Sequence, residues 1–289
     1  MNGFLRMAGS QHLDSRRGGD TVARRRTLRA VALVPALALL TAMAGCAEST
    51  TSGSSGDGLA LTNPGKLTTC THTDYAPFQF HKNGEIVGFD VELVDLIAED
   101  LGVEQKIVDT PFSGIQSGVA LNSGQCDVAA AAMSITPTRE ENFDFSDPYF
   151  EATQALLTPK DSGMTQLSDL RGKKVGVQLA TTGEKFARKH AEKNGYTVVQ
   201  FENLPLMIKA VETNRVDVAI NDNSVLAYYT KNNPGVEITN EFTTGDKYGI
   251  GVATSDDALL KKVNESLSRL KESGQYDKIY RKWFGKQPE

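Results

Sequence analysis

Twice along this chain a strand-like run gives way to a helical one, then to a second strand, a second helix and a third strand. That doubled β-α-β-α-β pattern restricts the fold more than any other feature. In the first unit KLTTCTH (66–72) reads as a strand, and GFDVELVDLIAEDLG (88–102) places Phe89, Leu93, Leu96, Ile97 and Leu101 at helical spacing before Gly102 stops it. QKIVDT (105–110) is strand-like, FSGIQSGVALNSG (112–124) helical, and CDVAAAAM (126–133) a strand buried on both faces. The second unit runs through KKVGVQ (173–178), a helix from about Thr182 to Lys193, YTVVQF (196–201), a helix in LPLMIKAVETN (204–214) and VDVAIND (216–222). Two such units imply two α/β lobes, each with a mostly parallel sheet. YFEATQALLTPK (149–160) and KYGIGVATS (247–255) are extended and apolar, and if both connect the lobes the chain crosses twice. The closing segment 258–284 carries apolar helical faces and is expected to dock as two helices on the first lobe.

The N-terminal residues stand apart from the fold. RRRTLRAVALVPALALLTAMAGC (24–46) has a basic start, an uncharged stretch and small residues before a cysteine, as a secretory signal does. The ending Met43-Ala44-Gly45-Cys46 resembles a bacterial lipobox, with cleavage after residue 45 and a lipid on Cys46; a plain signal with an incidental cysteine is the alternative. Residues 46–65 are rich in Ser, Thr and Gly and read as a flexible tether between membrane and folded body. The whole chain carries −5 and residues 1–45 carry +5, from seven arginines and two aspartates, which leaves −10 on the remainder. Such an acidic surface argues against nucleic acid as a partner. With Cys46 lipidated, Cys70 and Cys126 remain as a pair in an oxidising compartment and read as a disulfide.

Ligands of open parallel sheets sit beyond the carboxyl ends of the strands, and several of these ends are polar here. One is Ser134-Ile135-Thr136-Pro137-Thr138-Arg139, where Thr136 and Pro137 suit an N-cap and first helical position and put Arg139 in the first turn. A guanidinium beside a positive helix end is misplaced unless an anion sits there, and its two parallel donors fit a carboxylate. Surface pairing with Glu140, Glu141 or Asp144 is the competing reading. Asp222 closes the apolar strand VDVAI, where an ammonium ligand would satisfy it; a cap for a helix starting near Asn223 would as well. Gln178 to Gly183 opens a helix with Thr181 and Thr182 beside its free NH groups, and Tyr75 and Phe112 are placed to flank an aliphatic portion or to sit in the core. No GxSxG or HExxH occurs, and His72, His81 and His190 have no metal-ligand spacing, so neither catalytic residues, a metal nor a cofactor is expected.

In order along the chain, Tyr75-Ala76-Pro77-Phe78, Gly88-Phe89-Asp90-Val91-Glu92-Leu93, Ser134-Ile135-Thr136, Arg139, Phe145-Ser146-Asp147 and Gly274-Gln275-Tyr276-Asp277 with Trp283-Phe284 resemble family 3 of the bacterial extracellular solute-binding proteins, the amino-acid receptors of ABC importers. The resemblance spans about residues 66–286. It implies a two-lobed, type II periplasmic-binding-protein-like α/β fold whose two mostly parallel sheets are joined by a two-strand hinge near 151–153 and 248–251. Lobe 1 would comprise 66–152 and 248–289, and lobe 2 residues 153–247. It further implies that Arg139 binds the α-carboxylate of a free amino acid with NH groups near Ser134 and Thr182. Asp222, assisted by Ser134 and the Ala132 carbonyl, would bind the α-ammonium, and Tyr75 and Phe112 would enclose the side chain. His72 stands where members that bind basic amino acids usually carry aspartate, and Gln178 stands where side-chain recognition is often decided. The resulting expectation is a monomeric, non-enzymatic, lipid-anchored protein outside the cytoplasm that hands glutamine, or next glutamate, to an ABC transporter permease. An amino-acid-like dehydratase and a ligand-sensing surface lipoprotein are the alternatives.

Overall fold

The structure is a computed structural model that describes residues 58–288; the signal segment, Cys46 and the tether up to residue 57 lie outside the described residues. The first stretch runs β1 (Lys66–Thr71), β2 (Asp74–Tyr75), β3 (Gln79–Lys82), β4 (Glu85–Val87), α1 (Phe89–Asp100), β5 (Glu104–Asp109), α2 (Phe112–Gln116), α3 (Val119–Asn122), β6 (Val128–Ala129), α4 (Pro137–Glu140) and β7 (Asp144–Phe145). It continues through β8 (Phe150–Pro159), a 3₁₀ turn (Leu167–Leu170), β9 (Lys174–Gln178), α5 (Thr182–Asn194), β10 (Thr197–Phe201), α6 (Leu204–Glu212), β11 (Val218–Asp222) and α7 (Asn223–Thr230). It closes with β12 (Val236–Tyr248), β13 (Gly251–Val252), α8 (Asp257–Glu272) and α9 (Gln275–Phe284).

Two five-stranded sheets result, in the orders β5-β1-β6-β13-β7 and β10-β9-β11-β8-β12, with a small β2-β3-β4 sheet beside the first. In each large sheet one strand opposes the others: β13 is antiparallel to β6 and β7, and β8 is antiparallel to β11 and β12. These are the strands the chain forms on arriving from the other lobe. The crossing is a paired ribbon, with Phe150 opposite Tyr248 and Glu151 opposite Lys247. The fold is therefore α/β with two lobes and a two-strand connection.

Aromatic residues fill the base of this crossing. Phe78, Phe89, Phe150, Tyr248 and Phe284 pack with ring centroids 5.0–6.1 Å apart, and Phe89 also meets Tyr276 and Tyr280 of α9 at 5.8 and 5.9 Å. The closing helix is thereby pinned to α1, and removing a buried ring of this kind costs about 3–5 kcal/mol. Gly88 starts α1 with φ 147°, and a Cβ there would lie 1.9 Å from the Phe78 carbonyl oxygen. Only glycine lets the helix begin so close to the β2-β3 turn.

Four expectations are corrected. The helix expected over 112–124 is two short helices, broken at Gly118 with φ 76°. The strand expected over 126–133 keeps ladder pairing only at Val128–Ala129, and Ala132 turns to φ 47°. Residues 59–65, expected as the end of a tether, are docked: Leu59 and Leu61 pack on the core and the Thr62 N–H donates to Asp127 Oδ1 at 2.7 Å. Finally the strand expected over 247–255 is split: β12 ends at Tyr248 and β13 holds only Gly251–Val252, while β12 begins back at Val236, its apolar alternation of Val236, Ile238 and Phe242 being interrupted by the polar run 243–247. Cys70 and Cys126 are joined by a disulfide across the start of the β1-β6 pairing.

Candidate ligand-binding site

The lobes meet over a small cavity of about 10 Å³, lined by His72, Tyr75, Phe112, Ala132, Ser134, Arg139, Gln178, Thr182 and Asp222. These are the residues singled out from the sequence, brought together from strands β1, β2, β5, β6, β9 and β11 and the turns and helix starts that follow them. Gln79, Ala131 and Thr181 line it as well.

Arg139 is 5% exposed and sits in the single turn α4, whose N-cap Thr136 accepts from the Arg139 N–H at 3.4 Å. Its Nη1 donates to the Ser134 carbonyl at 2.7 Å and its Nη2 to the Ala180 carbonyl of the other lobe at 3.1 Å. The guanidinium also lies 5.3 Å from the centre of the Phe112 ring. Its partners are thus neutral carbonyls, not the adjacent carboxylates that surface pairing would use. Burial pulls its pKa down to about 10, against the opposing pull of Asp222 and Asp246.

Asp222 ends β11 and precedes α7, where it makes no side-chain cap. Instead Oδ2 receives the Tyr248 hydroxyl at 2.5 Å and lies 2.8 Å from the Tyr75 hydroxyl, while Oδ1 accepts from Gln154 Nε2 at 2.5 Å. The Tyr75 hydroxyl is shared with Asn221 Oδ1 at 2.6 Å. All three donors are neutral, and burial raises the carboxyl above the usual aspartate range despite them. The same burial and the neighbouring Asp222 push Tyr75 and Tyr248 well above the ordinary phenol value.

Further contacts close the cleft. Ser134 Oγ lies 3.2 Å from Thr182 Oγ1 across the lobes, and Thr182 heads α5, capped by Thr181 accepting from the Glu184 N–H at 3.1 Å. A Cβ at Gly183 would come 2.8 Å from Gln154 Oε1 and displace the side chain that donates to Asp222. Ala132 is held by its N–H, which donates to Asp90 Oδ2 at 2.6 Å, while Asp90 Oδ1 accepts from Tyr149 at the hinge at 2.9 Å. Among the described residues no group of His, Cys, Asp and Glu is placed to hold a metal ion.

Sequence reading passed over Gln79, Gln154 and Tyr248. A lone glutamine inside EATQALL was a usable signal for a buried polar contact; Gln79, between Phe78 and Phe80, carries no mark of its own, and Tyr248 was marked only as part of the expected hinge.

A two-lobed α/β body with an opposed cation and anion buried where the lobes meet defines a small-molecule-binding protein of the periplasmic type. Residues 67–286 match the bacterial extracellular solute-binding proteins, family 3, and the chain belongs to that family. It is 37% identical over 232 residues to a probable histidine-binding protein of Neisseria gonorrhoeae, covering 78% of this chain and 85% of the relative. It is 35% identical over 209 residues to the ABC transporter glutamine-binding protein GlnH of Bacillus subtilis (strain 168), covering 71% and 76%. Among solved structures it resembles an ancestral arginine-binding protein bound to arginine, at 44% identity and TM-score 0.73 over 76% of this chain and 99% of that one. An ancestral arginine-binding protein bound to glutamine matches at 43% identity and TM-score 0.73, over 77% and 99%.

Proposed function

We propose that this protein captures a polar amino acid, glutamine first and glutamate next, between its two lobes and delivers it to an ABC importer. The observation that carries the reading is a buried carboxylate with neutral partners, Asp222, facing the same cavity as a buried guanidinium held by carbonyls, Arg139. A zwitterion completes both: its carboxylate pairs with Arg139 and the NH groups near Ser134 and Thr182, and its ammonium with Asp222, the Ser134 hydroxyl and the Ala132 carbonyl. Tyr75 and Phe112 flank its aliphatic portion, with His72 and Gln178 toward the side chain.

Because the cavity is smaller than any amino acid, the lobes part to admit a ligand. Closure then exchanges cross-lobe contacts for ligand contacts, a population shift driven by groups that meet only when both lobes do. Lobe 1 comprises 66–152 and 248–289 and lobe 2 comprises 153–247, so the paired β8-β12 ribbon serves as the hinge. The relatives' names support amino acids as the ligand class and an ABC transporter as the partner. Lipid on Cys46 anchors the monomer to the outer face of the membrane.

The described lining offers one anion and one cation, both engaged in binding, and no second carboxylate, which favours binding over a dehydratase. A sensing lipoprotein would share this site but not need a permease. Thermal denaturation of the purified protein with each protein amino acid in turn tests the reading: one clear upward shift is expected. A flat response to every amino acid would sink it.

A further inference from the structure

We infer that Gln79 reads the ligand's side chain, selecting a neutral group that both donates and accepts hydrogen bonds, best matched by the carboxamide of glutamine. The inference rests on the amino-acid reading above and adds to it a residue and a rule of selection.

Gln79 is the first residue of β3, directly opposite Tyr75 in the β2-β3 pairing, and its side chain lines the cavity. It is 0% exposed, yet neither its Nε2 nor its Oε1 has a hydrogen-bond partner. Since both atoms are unpaired, the conclusion does not depend on which way the amide is turned. Two further atoms on the same cavity, Gln178 Oε1 from the other lobe and His72 Nε2, are also buried without partners. Buried polar atoms are overwhelmingly paired in folded proteins, so three unsatisfied side chains around one cavity point to a polar ligand group there.

Charge decides which group. The lining residues with full charges are Arg139 and Asp222, one of each sign, and the α-carboxylate and α-ammonium occupy them. Asp246, whose charge both of these residues feel, lines the groove on the hinge side and not this cavity. A cationic or anionic side chain would therefore be buried against neutral atoms, which is strongly unfavourable. A carboxamide instead donates to one unpaired oxygen and accepts from the unpaired Gln79 Nε2.

Calorimetry with glutamine, glutamate and arginine on the wild type, Gln79→Met and Gln79→Glu tests this. The wild type should bind glutamine tightest. Gln79→Met, of similar length but without polar atoms, should weaken glutamine by about tenfold to a hundredfold. Gln79→Glu should reverse the preference toward arginine, a change of order that general destabilisation does not produce. A wild type that prefers arginine or glutamate overturns the inference. So do variants whose affinity ratios stay within about twofold of wild type. If ligand binding persists, is lost in Arg139→Ala and ignores residue 79, the amino-acid reading stands and this inference falls. If the wild type binds no amino acid, both fall.

Discussion

Replacing Arg139 by alanine should separate binding from folding. Burial pulls the guanidinium pKa well below its ordinary value, to about 10. At about 1.4 kcal/mol per unit, the folded state disfavours the charge by about 3 kcal/mol. Against this stand hydrogen bonds to the Ser134 and Ala180 carbonyls at 2.7 and 3.1 Å and the contact with Phe112. Hydrogen bonds to a charged group contribute about 1.5–3 kcal/mol each, so the terms largely offset and the stability cost of alanine should stay below about 2–3 kcal/mol. Binding has no such offset, because the ligand carboxylate would be left buried and unpaired, a loss of about 3–5 kcal/mol or some two to three and a half orders of magnitude in Kd. Urea unfolding and calorimetry on the same preparation measure the two quantities. Arg139→Lys should recover only part of the affinity, since an ammonium lacks the parallel pair of donors. An alanine variant that unfolds cooperatively and binds within about threefold of wild type would refute the carboxylate role.

The sequence disclosed the parts of this molecule whose patterning is periodic or chemically marked. The helix at Phe89–Asp100 and the inner parallel strands β1, β9 and β11 were legible because a one-sided helix and two-sided buried strands bury nearly all their apolar residues, and the edge strands β5 and β10 because each keeps a pair of adjacent β-branched residues, though these are only partly buried. Thr136-Pro137 placed Arg139 correctly in a first turn because an N-cap and a proline specify local geometry by themselves. What stayed hidden depends on contacts distant in sequence. The carboxylate of Asp222 meets Tyr75, Gln154 and Tyr248 from three separate strands, and no local spacing announces such a meeting. Likewise β12 was passed over although Val236, Ile238 and Phe242 alternate onto the core, because Asn240 and the polar run 243–247 interrupt the pattern and the rest of its ladder with β8 is backbone pairing. Gln79 was the hardest to see, being an ordinary residue in PFQF until the fold removes it from water.

Three more outcomes follow from the geometry. Asp222→Asn keeps the shape but removes the anion, so it should weaken ligands with a free α-amine and spare analogues lacking one; equal losses for both in calorimetry would contradict the ammonium role. The Cys70–Cys126 disulfide closes a loop spanning 56 residues, for which chain entropy gives about 4 kcal/mol, so reduction should lower the urea midpoint markedly and expose two labelled thiols. Free labelling before reduction would count against it. Asp90→Asn tests a buried charge at the hinge. Burial lifts the Asp90 carboxyl from 3.8 to about 7, outweighing the hydrogen bonds from Ala132 and Tyr149. A raised folded pKa means the folded state keeps its proton longer than the unfolded chain, so this group's favourable term is fully present below about pH 4. It is lost as pH rises to about 7 and is then constant, a fall of about 4 kcal/mol. Asparagine cannot ionise and still accepts from the Ala132 N–H, so in urea unfolding its stability relative to wild type should improve between pH 4 and 7. The other acids titrate in both proteins and cancel in the difference; a difference that stays flat across that range would show that Asp90 is ionised in the fold at low pH and that burial does not govern it.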